Sequence, residues 1–98
     1  MRREDIQLEV PSAVAPGKAA VVGTLVDKWV QVDGSFVATM RIEGRMKLSP
    51  AWQQVGADIT APGTFQVAPL YYEVRVNVTA YTSGSAAAAL GALDRRTF

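Results

Sequence analysis

The run YYEVRVNVTAY, Tyr71 to Tyr81, alternates apolar and polar residues along most of its length. In an extended chain successive side chains point to opposite faces, so period two is the signature of a half-buried strand. Tyr72, Val74, Val76, Val78 and Ala80 fall on one face and are predicted core. Tyr71, Glu73, Arg75, Asn77, Thr79 and Tyr81 fall on the other. The run SFVATMRIE, Ser35 to Glu43, divides in the same way, with Phe36, Ala38, Met40 and Ile42 expected inside and Val37, Thr39, Arg41 and Glu43 outside. If the two runs share a sheet, Arg41 and Glu43 can form crossed ion pairs with Glu73 and Arg75. Exposed pairs of that kind contribute only a few tenths of a kcal/mol and mainly set register. Such a row either faces water or meets another subunit, and tyrosines at its ends favour the second use.

The remaining chain reads the same way in shorter pieces. Alternation or β-rich composition predicts strands at Ile6–Val10, Lys18–Val26, Lys28–Val32, around Trp52 and Val55, and at Thr64–Val67. Asp33-Gly34 is a strong tight-turn signal and predicts a hairpin between Lys28–Val32 and Ser35–Glu43. Pro11, Pro16, Pro50 and Pro62-Gly63 punctuate the rest. The four alanines at 86–89 favour helix by propensity. The stretch before Gly91 is too short to hold a helix unaided, so Ala86–Leu93 is expected to be a last strand. The chain has 98 residues, with 15 Ala and 13 Val, which suits one thin, tightly packed β domain. The expected fold is all-β: an antiparallel β-sandwich, jelly-roll-like, of about seven or eight short strands. Residues 1–98 form one domain, with short terminal arms at about 1–5 and 94–98.

The sequence has no Cys and no His. A Ser/His/Asp triad, a Cys/His pair and the common zinc sites are thereby excluded. Paired carboxylates alone can hydrolyse glycosides, but Asp27 and Asp33 sit at turn-like positions, where Asp bonds its own backbone. No glycine-rich phosphate loop and no calcium-type Asp/Asn cluster occurs. No catalytic, cofactor or metal residue is therefore expected. A net charge of +1 gives no bulk attraction to nucleic acid or an anionic membrane. No stretch approaches the ~20 apolar residues of a membrane span. MRREDIQLEV lacks the apolar run of a signal peptide, so synthesis in the cytoplasm is expected. Trp29, Trp52, Tyr71 and Tyr81 could form an exposed aromatic row that stacks on sugar, or they could pack in the core or at an interface.

The order GSFVATMRIEG, then WQQVGADITAPGTF, then YYEVRVNVTAYTSG and a small-residue final strand resembles a group of small structural proteins of tailed bacteriophages. The resemblance covers roughly residues 20–90 and is most specific at Val74–Gly84. It departs at Arg45–Pro50, where a short Asp-Gly turn would be typical. It implies a non-enzymatic β-sandwich of the virion, typically a head decoration or cement protein and in some cases a neck or tail part. Its implied partners are the major capsid protein and further copies of itself, as a homotrimer at local threefold positions. A carbohydrate-binding module is the alternative. Four of the seven arginines lie near the termini, at Arg2, Arg3, Arg95 and Arg96. With Tyr71, Tyr81 and Phe98 they are the candidate partner-interface residues. The terminal segments pack either on their own domain or, as the composition LDRRTF favours, on a neighbour through Arg forks and an aromatic anchor.

Overall fold

A computed structural model describes residues 2–48, 51–67 and 71–94, with Arg2 and Asp94 described by their backbone alone. Seven strands form one antiparallel, unclosed sheet: β1 (Arg2–Leu8), β2 (Ala15–Pro16), β3 (Ala20–Val21), β4 (Leu25–Arg45), β5 (Gln53–Ile59), β6 (Gly63–Gln66) and β7 (Glu73–Asp94). The expected strands at 28–32 and 35–43 are a single strand. So are those at 71–81 and 86–93. Asp33-Gly34 is therefore not a hairpin turn: Asp33 pairs with Ala87 and Gly34 with Ala86, in the middle of a β4–β7 ribbon that runs from Leu25↔Asp94 to Arg45↔Glu73.

A straight strand of 21 residues would span roughly 70 Å at ~3.3 Å per residue, whereas the molecule's longest extent is 43 Å. The ribbon must bend, and the bend lies at the Ser35–Ser85 pair. Gly34 (φ 115°) and Gly84 (φ 89°) flank that pair, one on each strand, in a conformation that side chains disfavour. A Cβ on either glycine would also run into the carbonyl oxygen of Ser85 or Ser35. The turn chemistry in the sequence is thus used to fold a continuous ribbon rather than to end a strand.

Each half of the ribbon carries its own flanking strands. On one side of the bend the order is β1–β7–β4–β6, and on the other it is β2/β3–β7–β4–β5. Both halves turn alternate side chains into one core. Val74, Val76, Val78, Met40 and Ile42 come from one half, as expected, and Val30, Val32, Ala88 and Leu90 from the other. Phe36 is half-buried against this core, and Ala38 is half-buried. The last strand is confirmed as extended through the alanine run, where every second residue, Ala86, Ala88, Leu90 and Ala92, meets the core.

Bulges explain where simple alternation fails. Thr79 and Thr82 are extra residues on β7 opposite Thr39/Met40 and Val37/Ala38. Each one reverses which side chains point inward. Ala80, expected inside, is exposed, and Tyr81, expected outside, packs against the core and donates its hydroxyl to the Gly84 carbonyl at 2.8 Å. A third irregularity at Asp27 (φ 51°) lets Leu25 and Lys28 both face inward. The buried Lys28 ammonium donates to the Leu25 carbonyl at 3.0 Å. Residues 2–5, expected within a short terminal arm, are the first half of β1 and pair with Gly91–Asp94.

Two measurements test this account. Val76→Asp should abolish cooperative unfolding, since an unpaired charge in a fully buried site costs several kcal/mol; a wild-type melt would refute the strand assignment. Gly84→Ala should lower the urea midpoint by the equivalent of at least about 2 kcal/mol, from positive φ plus the backbone clash. Gly56→Ala, also at positive φ but with open space around the new methyl, should cost only about 1 kcal/mol. Equal losses at the two positions would remove the bend from its place in the fold.

Candidate functional site

The outer face of the β2/β3–β7–β4–β5 half carries the polar row seen in the sequence. Antiparallel register places Glu43 opposite Arg75, Arg41 opposite Asn77 and Arg45 opposite Glu73. Glu43 accepts from Arg41 Nε at 2.9 Å, Arg75 Nε at 2.8 Å and Asn77 Nδ2 at 3.2 Å. Arg45 pairs with Glu73 at 2.8 Å. Trp52, just before β5, lies against two of these guanidiniums, with Arg75 Cζ 4.1 Å and Arg45 Cζ 4.6 Å from its ring centroid. Of the crossed ion pairs expected, Glu43–Arg75 is present, whereas Glu73 pairs with Arg45 and Arg41 bonds Glu43 on its own strand; nor are these the exposed pairs expected. Glu43 is only 4% exposed because planar guanidiniums and an indole roof it over.

Burial by itself pushes the Glu43 carboxyl up. The hydrogen bonds from Arg75 and Asn77 and the charges of Arg75 and Arg41 outweigh it, and the net shift is downward. The network is fully satisfied: among the described residues no buried side-chain N or O lacks a partner. Three guanidiniums lie over two carboxylates, so the atoms reaching solvent are mainly cationic.

The outer face of the other half is different. Ala87, Ala89 and Gly91 of β7 floor a shallow trough. Asp5 and Gln7 wall it from β1, and Trp29, Gln31 and Asp33 from β4. A side chain at position 91 would meet the Asp5 carboxylate, so Gly91 keeps the trough open. Trp29 is 45% exposed at its edge. Asp33 is exposed and held by the Gln31 amide.

The expected interface residues are scattered by this geometry. Arg3 is exposed beside Asp5 at 3.2 Å, on the trough side. Tyr71 and Tyr81 both turn toward the core, Tyr71 because its ring occupies the space that a side chain at Gly44 would need. The side chain of Arg2, and Arg95, Arg96 and Phe98, lie outside the described residues. Trp29 and Trp52 belong to different halves of the bent ribbon, and Tyr71 and Tyr81 pack against the core, so the four aromatics make no exposed row. Sequence reasoning missed the stacking of Trp52 on Arg45 and Arg75, since those residues come from three separate segments. It also missed the trough, which depends on which side of β7 the small residues face.

The Glu43 network has a pH signature. Its carboxyl ionises lower in the folded chain than in the unfolded one, so ionised Glu43 contributes stability that is present above the unfolded value of about 4.3 and is lost as pH falls through the folded value. Glu43→Gln should therefore lower the urea midpoint at pH 7, with the gap to wild type closing below about pH 4. A gap that stays constant to pH 3 would show that the carboxylate's charge is not what the three donors stabilise. Arg75→Ala, which leaves Glu43 buried and short of a donor, should cost about 3 kcal/mol at neutral pH.

No family model and no curated protein matches this sequence. Among solved structures, the chain is similar to the crystal structure of the SPBc2 prophage-derived protein YomS, with a TM-score of 0.70 and 12% sequence identity. The match covers 93% of this chain and 92% of that one. At that identity the likeness shows a shared fold, here over nearly the whole length of both chains.

Proposed function

We propose that this chain is a non-enzymatic structural component of a tailed-phage particle, a head decoration or cement protein that bridges neighbouring capsid subunits. The observation that carries this reading is the fold shared almost end to end with a prophage-derived protein. Strand pairing adds support. Counting each long strand as two segments divided at the bend, and β2 with β3 as one, the eight consecutive segments pair first with last, second with seventh, third with sixth and fourth with fifth. We read this order as jelly-roll winding, an architecture used repeatedly in viral shells. A part of this kind works by surface burial. Binding only the assembled shell stabilises it by mass action, without chemistry.

A sugar-binding module is less well supported. Its requirement is an open, coplanar aromatic row, and only Trp29 of the four aromatics stands clear on an outer face.

Purified particles analysed by quantitative mass spectrometry test the proposal. A decoration role predicts copies on the order of hundreds per particle, whereas a ring in the neck or tail gives about six or twelve. Absence of the chain from particles would end the structural reading altogether.

A further inference from the structure

The two outer faces point away from a common core and differ in the charge they show to solvent. On the face around Trp52 the carboxylates are sequestered: Glu43 and Glu73 side chains are 5% and 20% exposed. Above them Arg41, Arg45 and Arg75 are 37%, 31% and 21% exposed. Lys47 adds a further cation beside Tyr72. The exception is Asp58, an exposed carboxylate at the edge, held by the Gln54 amide as Asp33 is by Gln31. On the trough face the order is reversed. Asp27 and Asp33 are exposed carboxylates, and Asp5 is paired with Arg3 at its margin.

We propose that copies of this chain associate head to tail, the carboxylate-bearing trough face of one copy seating on the guanidinium-bearing face of the next. Charge complementarity selects a second copy as the occupant. Arg41, the most exposed of the three guanidiniums, offers planar donors that match a carboxylate fork such as Asp33. The alanine and glycine floor lets a facing sheet approach closely, and exposed Trp29 supplies an aromatic anchor at the rim. A contact between two different patches is heterologous, so it repeats from copy to copy. Because the two faces belong to different halves of the bent ribbon, the contact is not self-matching and does not stop at two copies. It builds a ring or a stack. The inference goes beyond the virion reading and is measured on isolated protein, so either can fail without the other.

Sedimentation velocity of the full chain provides the test, with circular dichroism confirming that each variant is folded. Wild type should associate with rising concentration at low salt and dissociate by about 0.5 M salt, where charge pairs are screened. Asp33→Lys disables the trough face, and Arg41→Gln weakens the other face while its amide can still donate to Glu43. Each variant alone should associate at least tenfold more weakly than wild type. Mixed in equal amounts they should form one-to-one dimers and nothing larger, because each supplies the face the other lacks. If Arg41→Gln does not fold, Lys47→Gln takes its place in the mixture. Wild type that stays monomeric throughout, variants that associate like wild type, or a mixture that stays monomeric would each overturn the proposal.

Discussion

Every other strand in this protein is placed by the antiparallel pairing of β4 with β7. Each is longer than 20 residues, and every other strand pairs with one of the two. Backbone hydrogen bonds must be satisfied along the whole ribbon, and its apolar side chains must also leave water. A straight ribbon could do the first but would spread its apolar face too far to cover. The bend at Gly34 and Gly84 resolves this by letting the two halves bury those side chains against each other. Losing the bend would therefore damage the core itself, not a local turn.

The same ribbon sets the electrostatics of the surface. Register alone brings Glu43 within reach of Arg41, Arg75 and Asn77, because residues opposite each other on one face of an antiparallel pair are neighbours. Trp52 then covers the guanidiniums from the next strand. The carboxylate is driven under its partners, and the cationic groups are left on top. On the far side of the bend, β7 presents alanine and glycine outward, so the charged side chains stand at the edges of a trough. Two faces with opposite character thus follow from one pair of strands.

Under the proposed structural role, this geometry acts through its surfaces. The fold is shared with a prophage-derived protein at 12% identity. Large changes in sequence can preserve such a fold provided the core pattern, the bend and the pairing order survive. The contact surfaces themselves are free to differ between such proteins, and here they are an ordered arginine–tryptophan network and an alanine-floored trough.

Much of the fold was legible in the sequence. Period-two alternation identified β4 and β7 and placed Met40, Ile42, Val74, Val76 and Val78 in the core, because alternation is a direct record of burial on one side. It also predicted the Glu43–Arg75 pair, but not that Glu73 would pair with Arg45 instead of Arg41. It did not reveal that Asp33-Gly34 and Thr82–Ser85 lie inside continuous strands, since a glycine at positive φ reads the same in a turn as in a bend. Nor did it reveal the bulges at Thr79 and Thr82, which reverse the sides of Ala80 and Tyr81. The sequence by itself determined an all-β chain with a Val- and Ala-rich core and without His- or Cys-dependent chemistry, because those properties reside in residue type and spacing. Tertiary structure decided the bend, the burial of Glu43 beneath its arginines and the opposite characters of the two outer faces, because each depends on residues far apart in the chain arriving at one place.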